Sequence, residues 1–328
     1  MVENYPVSCK SIGLFYQLDG KLLEQQYASH LSGFPQWDQL EHAQDWILFQ
    51  ENIGPFLSID ETSLSQGELY TVVTNKEAKG KKGALVAMVK GTESEKVIGV
   101  LKKISEAKRK KVKEVTLDLA ATMERIASRS FPKAKLVSDR FHVQKLAGDA
   151  VQQIRIEYRW EAIEQENKEI ELAKELDRQH IPEVLPNGDS LKQLLARSRH
   201  LLFKDESRWT PSQNHRAEIL FRLYPVLETA YRLSRQLSHI FTTTKEKSVA
   251  FTRLAQWYNQ VEMAGLQSFG TLARTIQNHY TTILNYFDNR STNASAESFN
   301  AKIKAFRAQF RGVRNIPFFM FRLAKIYA

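Results

Sequence analysis

Three acidic residues stand where predicted chain segments end or begin. Asp60 and Asp118 each end a run rich in β-branched residues, and Glu297 opens a run with helical spacing. Carboxylates gathered at one point repel one another unless cations lie among them. Mg²⁺ and Mn²⁺ prefer such hard oxygen ligands, and two ions about 3.5–4 Å apart can promote phosphodiester displacement. The three acids therefore predict a site for two Mg²⁺ or Mn²⁺ ions that carries out phosphoryl transfer.

Each acid also has a simpler interpretation. Asp60 could be a turn residue at a strand end, Asp118 a helix N-cap, and Glu297 a first-turn acid favoured by the helix dipole. The chain holds 37 acidic residues, so spacing alone is weak evidence. Glu61 competes with Asp60 as a ligand. Because neighbouring strand side chains point to opposite faces, only one of the two should reach the site, and we favour Asp60.

The order of the predicted elements brings these acids together. The pattern indicates three strands with a hairpin loop at 75–83, then a helix, a strand, a helix and a fifth strand. The order βββ-α-β-α-β predicts a ribonuclease H-like α/β fold with a mixed five-stranded sheet, in which the first and fourth strands are neighbours. The predicted ranges are strands over 55–60, 69–74, 84–89, 112–118 and 135–139, and helices over 94–105 and 120–130.

Four segments are predicted along the chain. Residues 1–50 form an N-terminal extension of undefined fold, and 51–144 form the first part of the catalytic core. A large all-helical insertion occupies 145–290, since no strand pattern occurs there. The final helical part of the core, 291–328, has a helix with four aromatic and aliphatic residues on one face, which we expect to pack on the sheet. These residues are Phe299, Ile303, Phe306 and Phe310.

The composition limits the class of protein. Cys9 is the single cysteine, which excludes internal disulfides and zinc sites built on paired cysteines. The mean hydropathy is −0.41, and no run approaches the roughly 18 apolar residues of a membrane span. The first residues lack the pattern of a secretory signal. We therefore expect a cytoplasmic protein without a membrane partner, associated with the nucleoid when it binds DNA.

The charge indicates a polyanionic partner. There are 47 basic residues against 37 acidic ones, a net charge of +10, and the predicted pI is about 9.5. Two groups of cations could follow DNA phosphates near the metals, giving affinity that falls with salt. They could equally be solvated surface lysines. The candidates are Lys79, Lys81 and Lys82 in the hairpin loop, and Lys302, Lys304, Arg307, Arg311 and Arg314 after the last acid.

Five short motifs together resemble a known family. They are Leu-Ser-Ile-Asp-Glu at 57–61, Val-Thr-Leu-Asp-Leu at 115–119, Phe-Pro-Lys-Ala at 131–134, Asp-Arg-Phe-His-Val at 139–143 and Glu-Ser-Phe-Asn-Ala-Lys-Ile-Lys at 297–304. Over roughly residues 45–328 the chain resembles the ISL3 family of bacterial insertion-sequence DDE transposases. It is most similar to the ISAon-type branch, in which the catalytic polypeptide is encoded apart from a short N-terminal-region protein.

The resemblance implies roles for particular residues. It implies a catalytic and metal-binding triad of Asp60, Asp118 and Glu297. Asp139 is the alternative second member, although topology favours Asp118. Asp139 with His142 resembles the Asp-x-x-His signature of related transposases, and His142 would orient a carboxylate or touch phosphate unless it is a core histidine. Asn300 would contact DNA or cap the helix locally.

The resemblance also implies an activity and partners. A transposase of this type cuts insertion-sequence ends and directs the freed 3′-hydroxyl at target DNA, without a covalent protein–DNA intermediate. The chain lacks the cysteine-rich zinc module of larger relatives, so we expect a separately encoded N-terminal-region protein to help recognise the ends. We also expect a homodimer or higher oligomer on DNA. Two alternatives are a ribonuclease H-like nuclease without strand transfer and an inactive DNA-binding remnant.

Overall fold

A computed structural model describes residues 1–64, 67–310, 313 and 315–328. The chain divides into two compact units. The sheet unit comprises Met1–Asp139 together with Asn289–Ala328, and the helical unit comprises Arg140–Asp288. The predicted insertion, 145–290, begins and ends within a few residues of the helical unit.

The sheet unit is built on one mixed sheet. Its strands are β1 (Trp46–Leu48), β2 (Phe56–Ser63), β3 (Leu69–Asn75), β4 (Leu85–Lys90), β5 (Glu114–Leu117) and β6 (Lys135–Ser138), in the order β1-β4-β3-β2-β5-β6. β2, β3 and β4 form an antiparallel meander, while β5 runs parallel to β2 and β6 parallel to β5. The predicted mixed α/β architecture is confirmed, including the adjacency of the first and fourth predicted strands.

The prediction of five strands was wrong, because the described residues form six. β1 lies in the N-terminal extension, for which the sequence predicts no defined fold, and pairs antiparallel with β4 at the edge of the sheet. Its outer side is closed by a side chain: Gln39 donates from Nε2 to the Leu48 carbonyl (3.0 Å) and accepts from the Leu48 N–H through Oε1 (2.8 Å). A three-residue strand is too short to produce a readable alternation of apolar and polar residues.

Helices account for most of the remaining ordered chain. They are α1 (Cys9–Tyr16), α2 (Gly20–Gln26), α3 (Ser94–Leu101), α4 (Glu106–Arg109), α5 (Ala121–Ser130), α6 (Arg140–Glu175), α7 (Leu191–Arg197), α8 (Pro211–Leu223), α9 (Pro225–Thr243), α10 (Lys247–Ala264), α11 (Gln267–Asn278), α12 (Tyr280–Asn289), α13 (Ala294–Ala308) and α14 (Ile316–Tyr327). The helix predicted over 94–105 is shorter than expected, since α3 ends at Leu101 and the next helix, α4, begins only at Glu106.

Helices cover both faces of the sheet. On one face, α3 and α5 pack against the alternate apolar residues Leu57 and Ile59 of β2 and Val115 and Leu117 of β5, all fully buried. On the other face lie α13 and α14, and the predicted stripe of α13 packs there through Phe299, Ile303 and Phe306, with Phe310 partly buried. Because side chains alternate along a strand, the residues between those four apolar positions point toward the α13 face.

The helical unit forms its own core. α6, which is 36 residues long, packs against α7, α9 and α11 within this unit. Capping boxes start α7 at Ser190 and α8 at Thr210. In each, the hydroxyl accepts a hydrogen bond from the backbone N–H of a glutamine three residues later, and the glutamine side chain accepts one from the backbone N–H of the capping residue. Buried Asp189 binds Arg197 and Arg216, the latter at 3.0 Å. Among the described residues, none of the helices is both long and apolar enough to cross a membrane.

Candidate active site

Three aspartates lie just beyond the parallel-paired part of neighbouring strands. Asp118 and Asp139 directly follow β5 and β6, but Asp60 does not end its strand as predicted, because pairing with β3 extends β2 to Ser63. Ser58 of β2 pairs with Thr116 of β5, and Thr116 pairs with Val137 of β6. Two residues further along each strand stand Asp60, Asp118 and Asp139, and the Asp139 N–H donates to the Leu117 carbonyl at 3.0 Å. Because side chains repeat every second residue, this register brings all three carboxylates to the α13 face at one end of the sheet.

Asp60 is held by α13 and by its own backbone. Its Oδ2 accepts a hydrogen bond from Asn300 Nδ2 at 2.6 Å, and its Oδ1 accepts from the Glu61 N–H at 2.8 Å. Asn300 is only 5% exposed. Its Oδ1 is buried and has no hydrogen-bond partner within the described part of the chain. The amide thus orients Asp60, and none of the described residues donates a hydrogen bond to its oxygen.

Glu297 reaches the same end of the sheet from the first turn of α13. One of its carboxylate oxygens lies within 4.8 Å of a carboxylate oxygen of Asp139, which is 1% exposed. The start of the helix is tied to the sheet, since Asn293 Nδ2 donates to the Ile59 carbonyl at 3.4 Å. Glu297, Asn300 and Lys304 follow one another at i, i+3 and i+7, so they share a stripe of the helix.

Asp118 interacts electrostatically with Glu61. Burial raises the pKa of the Glu61 carboxyl, and the negative charge of Asp118 raises it further. Both side chains are half-buried. The sequence favoured Asp60 over Glu61 as a ligand because the two side chains point to opposite faces, and the register supports Asp60 as the residue on the α13 face. The alternation along the strand could not reveal that Glu61 still interacts with Asp118.

His142 follows Asp139 by three residues in the first turn of α6, at the beginning of the helical unit, and is half-buried. Its ring packs edge-on against that of Phe141.

The candidate DNA-binding cations occupy different ends of the sheet unit. Lys79, Lys81 and Lys82 are exposed in the hairpin after β3, and Lys302 Nζ donates to the Gly80 carbonyl at 2.9 Å. In the β2–β3 register Asp60 faces Val72 and Leu57 faces Asn75. The hairpin therefore begins more than about 10 Å along the strands from Asp60.

The remaining cations divide into three cases. Lys304 is exposed and shares the stripe of Glu297 and Asn300, which places it on the acidic side of α13. Arg307 is buried, pairs with Glu68 at 2.9 Å and lies over the Phe319 ring, which indicates a structural role. Arg311 and Arg314 lie outside the described residues.

The residues present fit a hard divalent cation. The site offers carboxylates whose mutual repulsion a cation would relieve, together with the orphaned amide oxygen of Asn300. Oxygen donors of this kind match Mg²⁺ and Mn²⁺.

Comparison with known proteins defines the family. The model of the ISL3 family of DDE transposases, described as transposase, matches residues 57–323. The match covers most of the chain and spans every acid of the site, so the chain belongs to this family of DNA transposases. This confirms the resemblance that the motifs indicated. No curated protein and no solved structure matches the chain.

Proposed function

We propose that this transposase cuts DNA at insertion-sequence ends and joins the freed 3′-hydroxyl to target DNA in a metal-dependent reaction on a ribonuclease H-like sheet. The observation that carries the proposal is the register of β2, β5 and β6. It aligns Asp60, Asp118 and Asp139 at one sheet end, where Glu297 approaches Asp139 within 4.8 Å. Acids from separate parts of the chain converge there, as phosphoryl transfer with bound cations requires.

Asp60, Asp118 and Glu297 are proposed to hold two Mg²⁺ or Mn²⁺ ions. When bound, the ions supply an activated water or hydroxyl nucleophile and charge stabilisation at the leaving oxygen. Asn300 fixes one Asp60 oxygen through the 2.6 Å hydrogen bond. Asp139 is buried beside Glu297 and competes with Asp118 for the role of second acid. His142, three residues beyond Asp139, is proposed to orient a carboxylate or contact phosphate.

DNA contacts are proposed at two places. Lys304, on the same helix stripe as Glu297, would contact a phosphate close to the scissile bond. The hairpin cluster of Lys79, Lys81 and Lys82, joined to α13 through Lys302, would contact DNA further away, because it lies toward the opposite end of the sheet. Such contacts contribute affinity without sequence selection. Arg307 is left out because Glu68 neutralises it.

The partners also remain part of the proposal. DNA is the partner that the family implies, in the form of transposon ends and target. A homodimer or higher oligomer on DNA, and a separately encoded N-terminal-region protein that helps select the ends, are proposed from the resemblance. Capture of the protein on terminal-repeat DNA tests whether a second protein is needed. If this chain alone bound the terminal repeats with full sequence specificity, the second protein would not be required.

The test of the activity is strand transfer with labelled end DNA and target DNA in Mg²⁺, with and without the proposed partner protein. Wild type should yield cleaved ends and joined products, whereas Asp60→Ala and Glu297→Ala should yield neither. Asp118→Ala and Asp139→Ala compare the two candidates for the second acid, and the true one should abolish both steps. Cleavage without joining would indicate a nuclease, and DNA binding without metal-dependent chemistry an inactive remnant.

A further inference from the structure

A largely buried ion pair lies on the α13 face of the sheet, within the electrostatic reach of Asp139. Lys76 directly follows β3, and Glu114 begins β5. Lys76 Nζ and Glu114 Oε1 are 3.7 Å apart, with side chains only 16% and 5% exposed. Lysine and glutamate are rarely buried unless they are paired, and removing one partner leaves an uncompensated charge.

The pair binds the segment that leads into α13. Lys76 Nζ donates to Ser291 Oγ, and Asn289 Nδ2 donates to Glu114 Oε2. The Ser291 N–H in turn donates to Asn289 Oδ1 at 3.2 Å. Two residues further on, Asn293 binds the Ile59 carbonyl. Every second residue from 289 to 293 is therefore hydrogen-bonded to the sheet or to its buried ion pair, immediately before the helix that carries Glu297.

The same ammonium group also binds the strand that carries Asp118. Lys76 Nζ donates to Thr116 Oγ1 at 2.8 Å, and Thr116 lies two residues before Asp118 on the same face. One side chain thus joins β5 to the entry of α13. Burial lowers the pKa of Lys76, whereas the charges of Glu114 and Asp139 raise it.

We propose that Lys76 and Glu114 are positioning residues that fix the Asn289–Asn293 segment, and with it Glu297, relative to the strand that carries Asp118. The effect on metal binding rests on the proposed function, whereas the anchoring of the segment does not. Metal sites tolerate little displacement of a ligand, and loss of a group that orients ligands typically weakens metal affinity about 10–100-fold.

The experiment compares four full-length variants with wild type. Lys76→Met and Glu114→Gln each break the pair, and Lys76→Met/Glu114→Met removes both charges. Lys113→Met removes an exposed lysine next to Glu114 and is the matched control. Three measurements are made on each protein: thermal unfolding, hydrogen–deuterium exchange of peptides covering residues 289–300, and calorimetric titration with Mn²⁺.

The positioning role predicts a result that a purely structural role does not. The single variants should unfold at lower temperature, and the double variant should recover much of that loss because no buried charge is left unpaired. All three should nevertheless exchange faster at 289–300 and bind Mn²⁺ about tenfold or more weakly. The control should behave as wild type in each measurement.

The outcomes separate the two proposals. Unchanged exchange at 289–300 in the double variant would overturn the positioning role, even if wild type binds Mn²⁺ and transfers strands. Recovery of Mn²⁺ affinity together with stability in the double variant would overturn it as well. Faster exchange at 289–300 in a protein whose wild type binds no Mn²⁺ would support the anchoring and count against the proposed metal site.

Discussion

Asn300 Nδ2 donates a hydrogen bond to Asp60 Oδ2 at 2.6 Å, joining a buried amide of α13 to an acid of β2. The two residues are 240 positions apart in the chain, so this bond forms only when the sheet and the last helices pack together. It fixes the orientation of the carboxylate before any ligand arrives, which reduces the cost of ordering the site on binding.

Loss of this bond should slow the reaction more than it weakens DNA binding. We expect Asn300→Ala to lower the rate of end cleavage about 10–100-fold, because Asp60 is no longer oriented, with a smaller effect on the dissociation constant for DNA. Single-turnover cleavage and a binding titration measure the two quantities. Ser298→Ala, an exposed position on the same helix, is the control. Equal loss of rate in both variants would contradict the role of Asn300.

Divalent ions should stabilise the folded protein by binding to the carboxylates of the candidate site. A ligand that binds only the native state adds about 2.7 kcal/mol at a hundredfold excess over its dissociation constant. We therefore expect Mn²⁺, added to chelator-treated protein, to raise the unfolding temperature of wild type but not of Asp139→Asn or Glu297→Gln, which lie within 4.8 Å of one another.

The matched control for this measurement is Glu77→Gln, an exposed acid in the hairpin. It should keep the full shift in unfolding temperature. A shift that survives both Asp139→Asn and Glu297→Gln would show that the ion binds elsewhere.

The two groups of lysines should differ in what they control. Replacing Lys79, Lys81 and Lys82 with alanine should weaken binding to all DNA sequences. It should also make the salt dependence shallower, by about one in slope for each phosphate that the protein no longer neutralises. Lys304→Ala should instead lower the cleavage rate of bound DNA, since Lys304 shares the stripe of Glu297.

Binding measured over a range of salt concentrations, together with single-turnover cleavage, separates these effects. A triple replacement of Lys110, Lys111 and Lys113 removes the same charge at exposed positions ahead of β5 and is the control. If it weakens binding as much as the hairpin variant, net charge rather than a defined surface determines the affinity.

Asp189 should make the stability of the helical unit depend on pH. Burial tends to raise the pKa of its carboxyl, but the hydrogen bonds from Arg216 and Arg197 outweigh burial and hold the pKa below the ordinary 3.8. A depressed pKa contributes stability that is present above the unfolded pKa and is lost as the pH falls through the folded one.

We therefore expect Asp189→Asn to destabilise the protein by about 3 kcal/mol at pH 7, because two arginines lose their buried partner. The difference from wild type should persist down to about pH 4 and shrink at lower pH. Denaturant unfolding over this pH range measures it. A difference that stays constant below about pH 3 would show that the ionised carboxylate is not its source.

The sequence predicted the parts of the fold that local patterns determine. The meander, the two parallel strands and the apolar stripe of α13 follow from alternation and helical spacing, and all were found. β1 was not predicted, because three residues in a polar context carry no period. The end of α3 at Leu101 was also missed, since Ile104 continues the apolar spacing although the helix has already ended.

The site could be predicted only as far as strand order allowed. Neighbouring strands place Asp60 beside Asp118 without any knowledge of side-chain contacts. The approach of Glu297 to Asp139, and the bond between Lys76 and Ser291, depend on how α13 and the segment before it pack on the sheet. Lys76 stood in a lysine-rich run, where nothing in the residue types distinguished a buried cation from its exposed neighbours.

The Gln39 side-chain amide is hydrogen-bonded to both the N–H and the carbonyl of Leu48, so these groups of the outermost strand are not available to pair with another strand. Open sheet margins recruit strands from other molecules and lead to aggregation. A chain shortened to begin at residue 51 would lose Gln39 together with β1, and the backbone groups of β4 that pair with β1 would be exposed. Such a truncation should self-associate even though Asp60, Asp118, Asp139 and Glu297 are retained, so we expect the first fifty residues to limit association between copies of the protein.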